Sequence, residues 1–164
     1  MYDSGMSVQT VSGSKRGAGG RPTYRTRRQA AALGVLQTAD VLRRHFGRIL
    51  EPADLTLQQY NVLRILRGAL PEPLPTMEIG ERMIERTPGI TRLLDRLDGK
   101  GLVRRERCAE DRRQVLVSIT DAGLALLKEL DRPVARADQT ALSMLADGEV
   151  DRLRRLLDRV REGL

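Results

Sequence analysis

The 164-residue sequence is poor in aromatic side chains, with three tyrosines, one phenylalanine and no tryptophan. We therefore expect an aliphatic core, built chiefly of leucine. Single-stranded nucleic acids and RNA are commonly bound by stacking their bases on aromatic side chains. The scarcity of aromatic residues argues against a binding module of that kind.

Cysteine and histidine occur once each, as Cys108 and His45. One cysteine cannot form an internal disulfide, and two residues cannot supply the four ligands of a structural zinc site. The sequence also has no glycine-rich phosphate loop after a strand and no Ser-His-Asp arrangement. We expect neither a metal nor a cofactor, and nothing in the sequence indicates an enzyme.

Long apolar runs are missing as well. No run approaches the roughly 18 apolar residues of a transmembrane helix. The N-terminal segment has no apolar stretch of the kind that a signal peptide needs. We therefore expect a cytoplasmic protein that does not contact a membrane.

The formal net charge is +7, and the positive excess is concentrated in two segments. Residues 1–28 carry six basic side chains and one acidic side chain, and residues 86–113 carry nine basic and five acidic ones. A local positive excess of this kind is typical of a surface that binds nucleic acid. Residues 1–25, which are rich in Gly and Ser, are interpreted as a disordered basic leader.

Apolar spacing predicts four helices in the first part of the chain. In residues 26–50 the apolar positions recur at steps of four and three, which marks one helix face. Thr56 and Gln59 form a capping box for the second helix. Residues 68–75 are predicted to be a loop, before a short third helix over residues 76–83. The fourth begins at Thr87 as N-cap, and its apolar stripe comprises Ile90, Leu93, Leu94 and Leu97.

Two strands and two helices are predicted in the rest of the chain. Residues 102–107 and 113–119 have strand character, and a polar turn separates them. A hairpin directly after a helix of this kind is the wing of a winged helix-turn-helix. Thr120 begins a long helix that is predicted to be interrupted near Pro133, and Asp147 caps a last helix. The expected fold is mainly α, with a small β-hairpin wing.

The terminal helices carry apolar seams that a small winged-helix core cannot cover. An apolar stripe of that length is expected to find a partner, and a two-fold dimer provides one. We therefore expect one domain over residues 26–164. Residues 26–50 and 121–164 form its dimerisation helices, and residues 54–120 form the winged helix-turn-helix.

The stretch ITRLLDRLDGKGLVRRERCAEDRRQVLVSITDAGLALL resembles the winged-helix transcriptional regulators of the MarR family. The resemblance includes the recognition-helix string TRLLDRL, the GLV that leads into the wing, the DRR of the wing tip and the TDAG that opens the next helix. It implies a homodimer that binds a pseudo-palindromic DNA duplex near a promoter as a repressor. It also implies that a small-molecule effector can release the regulator.

The resemblance assigns DNA contacts to the helix that starts at Thr87 and to the wing. The implied DNA-binding residues are Thr87, Thr91, Arg92, Arg96, Arg112 and Arg113, and Asp111 is implied to orient the wing. An arginine can make two hydrogen bonds to a guanine edge, and an arginine at a hairpin tip can enter a narrow minor groove. However, the chain has 26 arginines and three lysines, so the composition alone also explains any single surface arginine.

Further candidate residues carry weaker signals. His45, Arg48 and Tyr60 are candidates to line an effector cleft, for which the sequence names no ligand. Cys108 follows arginine in the predicted wing turn, where nearby cations favour the reactive thiolate. An incidental thiol is the alternative, since the chain has no second cysteine. For the whole protein, the alternative is an architectural winged helix that binds duplex DNA with little sequence preference.

Overall fold

A computed structural model describes residues 24–85, 89–109, 111 and 113–164. The fold is mainly helical with a small antiparallel sheet, so the predicted fold class is confirmed. Its elements are α1 (Arg27–Leu50), a 3-10 turn (Glu51–Ala53), α2 (Leu57–Ala69), β1 (Leu74–Pro75), α3 (Thr76–Arg82), α4 (Ile90–Gly99), β2 (Val103–Arg107), β3 (Val115–Ile119), α5 (Asp121–Ala141) and α6 (Asp147–Glu162).

The chain divides into two compact units, Met1–Val35 and Leu36–Leu164. In the first unit, the structure describes residues 24–35, which include the start of α1. The second unit holds an aliphatic core, as the composition predicts. Side chains from α1, α2, α3, α4, β3 and α5 meet in this core, and the largest fully buried ones are Leu50, Leu63, Leu66, Ile79, Leu94, Leu97, Leu127, Val62 and Val117.

Threonine caps fix the starts of two helices. The Thr56 hydroxyl accepts a hydrogen bond from the Gln59 amide at 3.2 Å, and the Thr56 amide donates to Gln59 Oε1 at 3.0 Å. This is the predicted capping box. At the start of α5, the Thr120 hydroxyl accepts from the Gly123 amide at 3.1 Å and donates to the Gly101 carbonyl at 2.7 Å. The second cap therefore ties α5 to the turn between α4 and β2.

The sheet has three strands in the order β1-β3-β2, all antiparallel. The two strands of the wing are confirmed, but the prediction of a loop over residues 68–75 is wrong at both ends, since α2 continues to Ala69 and a short strand begins at Leu74. Leu74 pairs with Val117, and Pro75 pairs with Leu116. A two-residue strand is too short to show alternation in the sequence. Pro75 is tolerated because proline can occupy an edge strand, where a missing amide costs little.

The fourth helix begins later than the sequence predicts. Its first residue is Ile90, and its N-cap is Gly89, which has a left-handed φ of 102°. That conformation lies outside the helical region and suits glycine. The prediction that Thr87 caps this helix is therefore wrong, and Thr87 and Pro88 lie outside the described residues.

The last two helices also differ from the predictions. α5 runs through Pro133 without interruption and ends at Ala141. Proline removes a backbone hydrogen bond inside a helix, but buried residues on both sides of it, Leu130 and Val134, keep this face of α5 on the core. Asp147 is the first residue of α6, not its cap. The N-cap is Ala146, whose amide donates to Glu149 Oε2 at 2.9 Å.

No helix in the described ranges is long and apolar enough to cross a membrane.

Candidate nucleic-acid interface

Helix α4 is strongly amphipathic. Leu93, Leu94 and Leu97 are buried in the core. Because side chains three and four residues apart share one face of a helix, the opposite face carries a separate set of exposed residues. They include Thr91, Arg92, Asp95 and Arg96. The structure thus places the predicted recognition residues of this helix on its exposed side.

The wing is the hairpin of β2 and β3 with its connecting turn. Its base is anchored by Val103, Val117 and Ile119, which are buried. Towards the turn, the side chains of β2 are exposed, and Arg107 pairs in register with Val115. The wing therefore projects from a fixed base.

Asp111 organises the wing turn. Its Oδ1 accepts from the Arg113 amide at 3.0 Å, and its Oδ2 accepts from the Gln114 side-chain amide at 3.1 Å. An aspartate that binds the amide two residues on forms a local turn that mimics a backbone turn. Arg113 is exposed next to this turn. Arg112, a further predicted contact, lies outside the described residues.

An ion pair connects α4 with the wing. Nη1 of Arg105, on β2, donates to Oδ1 of Asp95, on α4. The Arg105 side chain is 22% exposed and that of Asp95 is 53% exposed. Arg105 was not identified as part of this site from the sequence. The available signal was alternation, since Arg105 lies two residues after the buried Val103 and so shares its face of the strand.

A cleft of about 1020 Å³ lies between α1, the 3-10 turn, the start of α2 and the end of α4. Its walls combine apolar surface with charged side chains, most of them basic. Lys100 pairs with Asp54 at 2.8 Å, whereas the described structure gives Arg48 and Arg96 no ion pair. The charged residues of the lining are Arg43, Arg44, Arg48, Glu51, Asp54, Arg96 and Lys100.

The structure does not bring the three effector candidates together. Arg48 lines the cleft, but His45 and Tyr60 do not. Nε2 of His45 lies 3.3 Å from the Ala137 carbonyl, which can only accept, so this nitrogen donates and links α1 to α5. Tyr60 is buried in the core, and the guanidinium of Arg64 lies 5.9 Å from its ring centroid.

Cys108 follows the last residue of β2 and is half-buried, with a free thiol. Its amide donates to the Gln114 carbonyl at 3.0 Å, which closes the wing turn. Within the ranges that the structure covers, no group of three or more His, Cys, Asp or Glu side chains is placed to hold a metal ion.

The buried stripe of α4, its exposed polar face and the adjoining hairpin define a winged helix-turn-helix protein. Comparison with known proteins identifies the family. The model described as "MarR family" matches residues 53–114. A crystal structure of a MarR transcription factor from Planctomyces limnophilus is 42% identical, with a TM-score of 0.66, and the match covers 83% of this chain and 98% of that one. The chain belongs to the MarR family and is a transcriptional regulator with a DNA-binding fold.

Two further comparisons extend this result. A cysteine-to-serine variant of Escherichia coli MarR, solved in complex with operator DNA, is 28% identical with a TM-score of 0.73. That match covers 80% of this chain and 93% of the other. The HTH-type transcriptional regulator TtmR of Methylorubrum extorquens is 37% identical over 97 residues, which are 59% of this chain. The matched region spans about half the length of TtmR, 49%.

Proposed function

We propose that the protein is a dimeric regulator that recognises a pseudo-palindromic operator and represses transcription by occupying it. The observation that carries the proposal is the pairing of two reading elements in one unit. The exposed face of α4 presents Arg92 beside a wing whose Arg113 is held by Asp111. The E. coli relative solved with operator DNA supports the same use of this fold.

The two elements suit different grooves of a duplex. Helix α4 fits the major groove, where arginine can bind a guanine edge through two hydrogen bonds. Arg113 fits the minor groove, whose negative potential is enhanced where it is narrow. The proposed contacts within the described residues are Thr91, Arg92, Arg96 and Arg113. Thr87 and Arg112 remain predicted contacts.

Dimerisation is supported by apolar side chains that the single chain leaves exposed. On α6 they recur at helical spacing, as Leu153, Leu156 and Val160, and α1 adds Leu36 and Val41. Exposed apolar surface of this kind is typical of a protein interface. We propose that a second copy covers it, with residues 26–50 and 121–164 as the dimerisation helices and 54–120 as the DNA-binding region.

A two-fold dimer fixes the form of the operator. It presents two recognition helices to successive major grooves about 34–36 Å apart. Bound over a promoter, such a dimer would exclude polymerase, which is the basis of the proposed repression. We expect the protein to act in the cytoplasm on chromosomal DNA.

The cleft is the proposed effector site. Arg48 and Arg96 supply guanidinium groups without an ion pair among the described residues, beside the apolar Leu55 and Leu57. Such a combination suits an organic carboxylate, since arginine binds carboxylates through two parallel hydrogen bonds. Because Arg96 is also a proposed DNA contact, an anion bound there would lower operator affinity. Benzoate should lower the operator affinity of the wild type. It should leave the operator affinity of the Arg48→Ala variant unchanged.

Selection of binding duplexes from a random-sequence pool tests the DNA-binding proposal. We expect enrichment of an inverted repeat whose half-sites lie about one helical turn, 10–10.5 base pairs, apart. Enrichment of a single, non-repeated site would contradict the dimeric arrangement. A pool without enrichment, bound with a steep salt dependence, would instead indicate the architectural alternative.

A further inference from the structure

The ion pair between Asp95 and Arg105 joins the two elements that the proposed function uses to read DNA. Asp95 lies on the exposed face of α4, and Arg105 lies on β2 of the wing. Among the described residues, no other side-chain hydrogen bond links α4 to the wing. The pair thus fixes one element against the other.

The position of Arg105 marks the root of the wing. It pairs in register with Val117, which is fully buried, and the next residues of β2, Glu106 and Arg107, are exposed. Arg105 is the outermost residue of this strand whose side chain still packs inwards. A contact at this point restrains the direction of the outer part of the hairpin, which comprises the end of β2 and the wing turn.

Arg105 is held tightly because its side chain is mostly buried. Its Nε atom is shielded from solvent and has no hydrogen-bond partner among the residues that the structure describes. An unsatisfied buried donor has a free-energy cost, and the bond from Nη1 to Asp95 does not remove it. This arrangement is easier to explain if the orientation of the guanidinium matters than if Arg105 serves stability alone.

Asp95 adds a second constraint. A carboxylate on a face that meets DNA would repel phosphates unless a cation neutralises it. Arg105 supplies that cation from the side of the wing, and therefore Asp95 remains compatible with the interface only while the wing stays in place. The neutralisation of the Asp95 charge and the position of the wing therefore depend on the same contact.

We propose that Asp95 and Arg105 form a positioning pair, which sets the wing relative to the recognition helix so that both grooves are read together. This inference rests on the proposed function. Neither residue needs to contact a base. Their role is to make the contact of Arg113 possible when Arg92 is already bound.

The test uses Asp95→Asn, Arg105→Gln and the double variant in the full chain. The readout is the ratio of affinities for the selected inverted repeat and for a scrambled duplex at one salt concentration. Each single variant should lower this ratio about tenfold, within the range of one misread base pair. The affinity ratio of the double variant should be little lower than that of either single variant, because both changes remove the same contact.

The matched control is Asp131→Asn. Asp131 binds Arg67 through two hydrogen bonds of 2.9 and 3.0 Å, and the exposures of this pair, 48% and 32%, are similar to those of Asp95 and Arg105. It joins α2 to α5, away from the wing. The control should lose stability but keep the affinity ratio, measured on folded protein.

A second test compares the effect of Arg113→Ala in the wild type and in the Asp95→Asn variant. This change should lower operator affinity in the wild type and should lower it much less when Asp95→Asn is already present. An equal effect in both backgrounds would overturn the proposal, as would folded single variants that keep the wild-type ratio. If the wild type itself shows no preference for the selected repeat, the proposed function fails and this inference fails with it.

Discussion

Gly123, in the first turn of α5, shows how one missing side chain sets the packing of two elements. A Cβ atom built at this position would clash with the Leu102 carbonyl oxygen and lie 2.7 Å from Cγ1 of Ile119. Both neighbours belong to the segment that leads into or out of the wing. Only glycine lets α5 start this close to the sheet.

Gly123→Ala should therefore destabilise the fold, by about 1–3 kcal/mol, because a well-packed site has no room for the extra methyl group. The measurement is urea unfolding followed by circular dichroism. Gly148→Ala is the matched control, since Gly148 lies in α6 and a Cβ atom added there would meet nothing within 4 Å. The control should be neutral or stabilising by up to about 1 kcal/mol. Equal effects at both sites would contradict the packing explanation.

Arg92 tests base recognition by a single side chain. Arg92→Ala should weaken operator binding by about 1–3 kcal/mol and relax the preference at one base position. Lys128→Ala, on the exposed surface of α5, removes the same charge and controls for the general electrostatic attraction. If Arg92→Ala lowers affinity equally for every duplex, Arg92 is a phosphate contact and does not read sequence.

At the scale of elements, the capping box shows how strongly a local signal can fix a helix start. Thr56→Ala removes the hydroxyl that accepts from Gln59 and should cost about 1 kcal/mol of stability. Thermal unfolding measures this loss. Thr38→Ala, at an exposed position within α1, should not destabilise the protein. A Thr56→Ala variant as stable as the wild type would mean that the cap contributes nothing.

Elements with strong local signals were predicted well. The caps at Thr56 and Thr120, the leucine stripe of α4 and the alternation in β3 are each decided by neighbouring residues. The course of α5 and the strand β1 were not predicted, because each depends on contacts distant in sequence. The start of α4 was misplaced because the left-handed conformation of Gly89 does not show in the apolar spacing. Pro133 stays helical because the core holds α5 on both sides of it, and Leu74 becomes a strand because Val117 lies opposite.

In the candidate site, too, features set by neighbouring residues could be predicted, and features set by distant contacts could not. Amphipathic spacing predicts which side chains of α4 are exposed, including Arg92. Spacing along the chain does not reveal that Arg105 reaches Asp95, which comes from a different element. The grouping of His45 with Tyr60 in one cleft also could not be judged from the sequence, since it depends on how α1 and α2 pack. The structure shows that Tyr60 is a core residue.

In the whole molecule, the proposed dimer accounts for the exposed apolar face of α6. Leu156 is 47% exposed in the single chain, so Leu156→Glu should dissociate the dimer by placing a charge in the proposed interface. Sedimentation equilibrium gives the mass directly. The control is Met144→Glu, at a residue that is 92% exposed and lies between α5 and α6. A Leu156→Glu variant that remains dimeric would show that another surface forms the interface.

Fluorescence anisotropy measures sequence-specific operator binding without further assumptions about the dimer or the effector. The wild-type protein is titrated against a duplex from the region upstream of its own gene and against a scrambled duplex, at several salt concentrations. We expect a preference of at least about 10³ for the native duplex, within the usual range for specific DNA-binding proteins. Equal affinity for the two duplexes, with a steep salt dependence, would contradict specific recognition of that region.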